Sequence, residues 1–209
     1  MLQGPESRNM TEIIRIEYTP NPNALKFIVD QYLTFKSESK MFLSEVDAKG
    51  NTFVLALFAV ENVEGIYLQD NFITITKETE ADWDPIVGHV QDIIEIHEDI
   101  GVSSIYEGQR DESEQSETPK IQFDGKFKEL EREEKLVWID KLLDAEVRPG
   151  LASDGGGLEV DSINDHNVVS ILYFGACGGC PSSTTGTLMF IESLLQERLC
   201  ETITVLPLN

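Results

Sequence analysis

Cysteine is scarce in this chain, and so is positive charge. Only three cysteines occur in 209 residues, at positions 177, 180 and 200. That is too few for a secreted disulfide scaffold, and it points to a reducing compartment where thiols stay available for metal or redox chemistry. Sixteen Lys and Arg stand against 38 Asp and Glu, a formal net charge of −22. Such a surface repels phosphate backbones and anionic lipid, which argues against nucleic acid or membrane as a partner. No apolar run reaches the ~18–20 residues a membrane span requires. The opening MLQGPESRNMTEII contains Glu6 and Glu12 and lacks both an apolar stretch and an Arg-rich amphipathic one. It does not read as a signal or transit peptide. The expected location is the bacterial cytoplasm, or an organelle if a leader has already been removed. Also missing are a Ser/His/Asp arrangement, a phosphate-binding glycine loop and paired carboxylates with a poised histidine. The chain is therefore not read as an enzyme.

What is present is enough apolar material for real cores, 41% of the residues. Between Gly101 and Lys120 the composition turns acidic, with Asp111, Glu112, Glu114 and Glu117 among Ser, Gln and Thr. This reads as a solvated linker, and residues 1–10 as an unstructured tail. Two small α+β domains joined by an acidic flexible linker follow: 11–100, a linker at 101–123, and 124–209. In the first, strands are expected at Ile14–Tyr18 and Leu25–Val29 around the Thr19–Asn23 turn, whose two prolines forbid a continuous ladder. A short helix is expected at Phe53–Val60, a hairpin from Gly65–Leu68 and Phe72–Thr76, and a helix over Trp83–Ile100. In the second, a helix over Phe127–Val147 is expected to stop at Arg148-Pro-Gly150. A hairpin of Leu158–Ile163 and Val168–Phe174 leads into the cysteine loop. A helix from about Pro181 to Leu199 and a strand at Thr202–Leu206 complete the unit.

The loop itself carries the chemistry. Gly175, Gly178 and Gly179 allow positive φ and close wrapping, with their N–H groups free to point at a ligand. Pro181 suits the first turn of a helix, whose N-terminus favours thiolate over thiol at Cys177 and Cys180. No Lys or Arg lies between Arg148 and Arg198, so a free reactive thiolate is less favoured than a metal-bound one. Ligand number then matters. A 4Fe–4S cube takes four thiolates and this loop offers two. Cys200, at the far end of the following helix, would be about 28 Å away. A homodimer with two loops facing across a twofold axis supplies the missing pair. A cluster bridging two chains is also easily released, which suits delivery.

Other readings of Cys-x-x-Cys are redox and zinc chemistry. Only 29 residues follow Cys180, too few for the rest of a thioredoxin sheet. Zinc in one chain would need two more ligands, and His166, in an Asn-Asp-His-Asn turn, is the only nearby candidate. A zinc ion bridging four cysteines of a dimer remains open. Cys200 reads as a buried apolar thiol, His89 and His97 as packing or surface residues, and Asp154 as a turn-stabilising side chain. The Thr19–Asn23 run reads either as a rigid turn or as a partner-binding loop.

Arg148-Pro149, Asp154-Gly-Gly156 and Gly175-Ala-Cys-Gly-Gly-Cys-Pro-Ser-Ser183 resemble the C-terminal domain of NifU-like (Nfu-type) iron–sulfur proteins. Tyr18-Thr-Pro-Asn-Pro-Asn-Ala-Leu-Lys-Phe27, Leu57-Phe-Ala59, Asp70-Asn-Phe-Ile-Thr-Ile-Thr-Lys77 and Ala81-Asp-Trp83 resemble the N-terminal domain of the same family. The resemblance implies a carrier or late scaffold that receives a 4Fe–4S cluster (2Fe–2S is the alternative) and passes it to apo-proteins. Its cluster ligands map onto Cys177 and Cys180. Its implied partners are a second copy of the chain, upstream scaffold proteins and apo iron–sulfur clients, the N-terminal domain recognising them. The family commonly has an acidic residue after the paired glycines. Gly157 stands there in this chain.

Overall fold

Six successive residues from Ala24 to Val29 are buried along their whole length, which is why the sequence there runs ALKFIV and does not alternate cleanly. This strand, β2, pairs antiparallel with β1 (Ile13–Tyr18) on one side and β5 (Phe72–Lys77) on the other. In the computed structural model the residues described are 10–35, 38–97, 100–101, 126–179 and 183–208. The expected tail, apart from Met10, and the expected linker, apart from Gly101, lie outside them. The chain divides into two compact units, the first ending at Arg110 and the second beginning at Asp111.

The first unit is an antiparallel sheet of order β1-β2-β5-β4-β3, with β3 at Ser39–Phe42 and β4 at Val63–Gln69. Inward-facing Leu25, Phe27, Val29, Ile66, Leu68, Ile73 and Ile75 form its core with two helices. Helix α1 (Thr52–Phe58) is started by Asn51, whose side chain accepts from the Val54 N–H at 3.0 Å. Helix α2 (Trp83–Ile96) buries Ile86, Val90 and Ile94 at helical spacing and carries Asp84 in its first turn. It ends at Ile96, not Ile100. The edge strand β3 was not expected, because four residues reading Ser-Lys-Met-Phe are too short for an alternation signal.

The second unit corrects more. The expected helix over Phe127–Val147 is interrupted: a 3-10 turn at Phe127–Glu129 gives way to an extended Leu130, and α3 begins at Arg132. Glu131 and Glu134 form a reciprocal capping box there, with the Glu131 N–H donating to Glu134 at 3.1 Å. Arg148-Pro-Gly150 ends α3 (Arg132–Glu146) but also opens a second short helix, α4 (Arg148–Ser153). Proline is tolerated in a first helical turn, so the same residues that stop one helix start the next. The hairpin β6 (Gly156–Ile163) and β7 (Val168–Gly175) follows. Asn164 closes its turn by accepting from the His166 and Val168 N–H groups, both at 2.9 Å.

Beyond the loop, residues Ser183–Thr187 form a π turn and regular helix starts only at Leu188, as α5 (Leu188–Arg198). The expected start at Pro181 lies outside the described residues. β8 (Thr204–Pro207) pairs parallel to β7, two residues later than expected. Ile139, Leu142 and Leu143 of α3 meet Ile191 and Leu195 of α5 and Val169 and Ile171 of β7 in one core. No helix among the described residues is long and apolar enough to cross a membrane.

Candidate functional site

The site grows from the open end of the β6–β7 hairpin, where Gly156 pairs with Gly175 and Gly157 with Phe174. Two glycines shape that end by backbone conformation: Gly155 has φ +79° and Gly175 φ +59°, both in the left-handed region. The chain then turns through residues 176–179. The Ala176 N–H donates to Gly155 O at 3.1 Å, Cys177 N–H to Phe174 O at 3.2 Å, and Gly178 N–H to Gly175 O at 3.1 Å. The expected left-handed Gly178 is therefore not found, and its N–H is taken by the turn.

Gly156 is required for a different reason, which is space. A Cβ on it would lie 2.5 Å from Cys177 Sγ, 2.7 Å from Cys177 N and 2.8 Å from Phe174 O. The Cys177 sulfur is thus seated directly against the Gly156 backbone. Cys177 is only 6% exposed and belongs to the core of the second unit. The neighbouring Gly178 and Gly179 are exposed.

Tyr173, at the last inward-facing position of β7 but one, packs on the same core. Burial first, and the neighbouring Cys177 second, push its phenol up to about 12. Its hydroxyl is buried and has no hydrogen-bond partner among the described residues. Arg148 braces the frame from below. It donates to Leu158 O of β6 at 3.2 Å, to Asp140 Oδ1 at 2.7 Å and to Asp144 Oδ1 at 2.6 Å. Burial would lower its pKa, but the bonds to Asp140 and Asp144 outweigh it and raise the value. Its charge is committed to α3, so it is not available to a sulfur anion.

Of the expected ligands, Cys177 is placed by this geometry, and Cys180 lies outside the described residues. Among the described residues no three His, Cys, Asp or Glu side chains gather into a metal-binding group. Cys200 lies beyond the C-terminal end of α5, 5% exposed, with its sulfur 3.2 Å from Thr202 Oγ1. His166 sits in the turn at the opposite end of the hairpin. The eight residues of β7 between them put it about 26 Å from the cysteine loop. It therefore cannot share a metal with Cys177 of its own chain.

His89 is exposed, while His97 stacks on Phe53 with ring centroids 5.5 Å apart and its Nε2 lies 3.2 Å from Thr52 Oγ1. Asp154 caps α4 through its backbone. The Thr19–Asn23 turn is bound into the first unit by Trp83 Nε1, which donates to Pro22 O at 3.0 Å, and by Lys77 Nζ, which donates to Asn23 Oδ1 at 3.0 Å. Sequence reasoning missed Gly156 as the neighbour of the sulfur, and it missed Tyr173. Strand parity with the apolar Val169 and Ile171 was the available signal for the latter.

Residues 14–101 match the family model described as scaffold protein Nfu/NifU N terminal, and residues 139–206 match the NifU-like domain. The chain is 29% identical over 195 residues to the NFU1 iron-sulfur cluster scaffold homolog, mitochondrial, of Drosophila ananassae, covering 93% of this chain and 63% of that protein. To the protein of the same name from Drosophila willistoni it is 30% identical, covering 89% of this chain and 60% of that one. The chain thus spans a little over three-fifths of the length of these relatives. A solution structure of a NifU-like protein from Saccharomyces cerevisiae aligns at 25% identity and a TM-score of 0.37, covering 44% of this chain and 82% of that one. With both domain models matched in order over about three-quarters of its length, the chain belongs to the Nfu/NifU family.

Proposed function

We propose that this chain is an iron–sulfur cluster carrier, not an enzyme. Two copies hold a 4Fe–4S cluster between them through Cys177 and Cys180 of each, and pass it to apo-proteins. The observation that carries this reading is the seat of Cys177. Its sulfur rests on a bare glycine backbone, at a strand end, within the residues that match the NifU-like domain. The cluster is cargo, and the residues present suit it. Thiolates are the donors iron–sulfur clusters take, Gly156 makes room for the sulfur, and the Tyr173 hydroxyl lacks a partner among the described residues. The exposed Met189 (66%) and Phe190 (52%), on the first turn of α5 after the loop, offer an apolar rim for a second copy.

Transfer in this reading is ligand exchange without change of oxidation state. Client thiols give up their protons and bind iron, and the carrier's cysteine sulfurs leave iron and take up protons. A cluster shared by two chains has half its ligands on each, so separation of the copies exposes it to the client. The first unit (11–100) recognises upstream scaffold proteins and clients, and residues 101–123 act as a spacer before the domain at 124–209. The chemistry requires a reducing compartment. We place it in the bacterial cytoplasm, and the relatives named as mitochondrial occupy a compartment that meets the same requirement.

Anaerobic reconstitution of the full chain with iron and sulfide tests the proposal. A broad absorbance near ~400 nm, about four irons per dimer and a dimeric mass are expected. Cys177→Ser or Cys180→Ser abolishes loading, and Cys200→Ser leaves it intact. A monomer that takes up no iron but reduces insulin disulfides would sink the reading. So would a dimer that retains zinc and never iron.

A further inference from the structure

Burying a tyrosine hydroxyl without a partner destabilises a fold, and phenylalanine would fill the same space without that cost. Among the described residues Tyr173 has the one buried side-chain oxygen or nitrogen left in this condition. It stands four residues before Cys177, on the face of β7 that carries the fully buried Val169 and Ile171, and packs into the core that also holds Cys177. Three of the loop's described N–H groups are already committed to the turn. The N–H groups of Ala176, Cys177 and Gly178 are directed to Gly155, Phe174 and Gly175 carbonyls. Arg148 is bound to Asp140 and Asp144, and the sequence has no Lys or Arg from there to Arg198.

We propose that the Tyr173 hydroxyl is a hydrogen-bond donor held for the loaded state, given to an anionic sulfur at Cys177 once the cargo is bound. This deepens the carrier reading and rests on Cys177 being a cluster ligand. Four thiolates leave a cluster negatively charged, and hydrogen bonds to its sulfurs stabilise that charge and set its potential. A phenol suits the task because it is a neutral donor that adds no charge to an acidic protein. An ordinary phenol is already protonated at physiological pH, so the donor is in place without any shift.

The test uses full-length wild type and Tyr173→Phe, each in the unloaded form and after anaerobic reconstitution with iron and sulfide. Unloaded Tyr173→Phe is expected to melt at the same temperature as wild type or higher, because an unpartnered hydroxyl has been removed. Loaded Tyr173→Phe is expected to lose iron to a chelator about ten- to a hundredfold faster, the equivalent of one hydrogen bond to a charged group. Its midpoint potential should be more negative, and the shift of the Fe–S stretching bands between water and heavy water should shrink. A lower melting temperature of the unloaded variant would overturn the inference, since it would mean the hydroxyl already serves the fold. Equal release rates and potentials in two proteins that both load would overturn it while leaving the carrier reading standing. A wild-type chain that takes up no cluster would remove the carrier reading itself.

Discussion

The two units each carry one short turn that the family resemblance singles out, and the two turns are built in opposite ways. In the first unit the Thr19–Asn23 turn is saturated. Thr19 Oγ1 donates to Asn21 O and Ala24 O at 2.9 Å, and Asn21 Oδ1 accepts from the Asn23 N–H at 3.0 Å. Lys77 and Trp83 complete it from β5 and α2. In the second unit the glycine frame around Cys177 closes its backbone bonds and seats the sulfur on the Gly156 backbone, while the Tyr173 phenol finds no acceptor among the described residues. A turn whose polar groups are all answered within the fold is doing structural work. The second unit, among its described residues, instead leaves a buried phenol without a partner near the end of the strand that leads to Cys177. That contrast sets the Thr-Pro-Asn-Pro-Asn run, bound into its own unit, against the cysteine frame, whose proposed role is binding.

The hardest blow to the contrast would fall on Gly156. In Gly156→Ala the new methyl overlaps the Cys177 sulfur and two backbone atoms, so the site must shift, at a cost of about 3 kcal/mol. Cluster loading should fall with it. Gly88→Ala is the control in the first unit: the position is an open site within α2, and helix propensity favours alanine there by about 0.5–1 kcal/mol. The chain's two tryptophans, Trp83 and Trp138, lie one in each unit, so urea titrations followed by fluorescence in Trp83→Phe and Trp138→Phe backgrounds read the units separately. If Gly156→Ala costs no more than Gly88→Ala, the sulfur is not tightly seated.

A smaller effect is expected from Lys77→Met, which challenges the saturated turn. Lys77 is 5% exposed, and its ammonium donates to Asn23 Oδ1 at 3.0 Å, Glu78 O at 3.2 Å and Thr79 O at 3.4 Å. Methionine keeps the length and leaves those acceptors short of a donor, for a loss of about 2 kcal/mol. Followed through Trp83, the first unit should unfold at lower urea while iron loading stays at the wild-type level. Reduced loading in Lys77→Met would mean that the turn serves the cluster as well as the fold.

Much of this contrast was legible before any coordinates, and its limits are physical. Strands β1, β2, β4 and β5 announce themselves because their apolar residues and turn formers are local signals. The Cys-Gly-Gly-Cys loop is equally local, and so is the exclusion of Cys200, which needs only the rise of a helix. What escaped depends on contacts distant in sequence. Strand β3 exists because Lys40, Met41 and Phe42 find Leu68, Tyr67 and Ile66 across the ladder. Helix α4 is the exception: it escaped because Arg148-Pro-Gly150, which stop α3, also satisfy the first turn of a new helix. Tyr173 could be placed on a strand by its neighbours, but whether its hydroxyl finds a partner is a property of the packed core. The same holds for Gly156, whose sequence neighbours say nothing of the sulfur that lies against it.

The mildest test sets the buried contacts against an ordinary surface pair. Glu17 of β1 accepts from Arg15 Nε at 2.6 Å and lies 3.7 Å from Lys26 Nζ. The Arg15 hydrogen bond, and after it the charge of Lys26, outweigh a small desolvation and hold its carboxyl below the ordinary 4.5. The folded chain therefore gives up this proton more readily than the unfolded one. The pair contributes its full stability above pH 4.5, and the contribution disappears as pH falls through the lower folded value. Because the groups are partly solvated, the whole contribution is about 0–1 kcal/mol and shrinks with added salt. Glu17→Gln should therefore flatten the acid limb of the first unit's stability profile, read through Trp83, and change little at pH 7 in high salt. A loss as large as that of Lys77→Met, insensitive to salt, would show that the edge strand is held as firmly as the turn, and the distinction between saturated and ordinary contacts in this unit would fail.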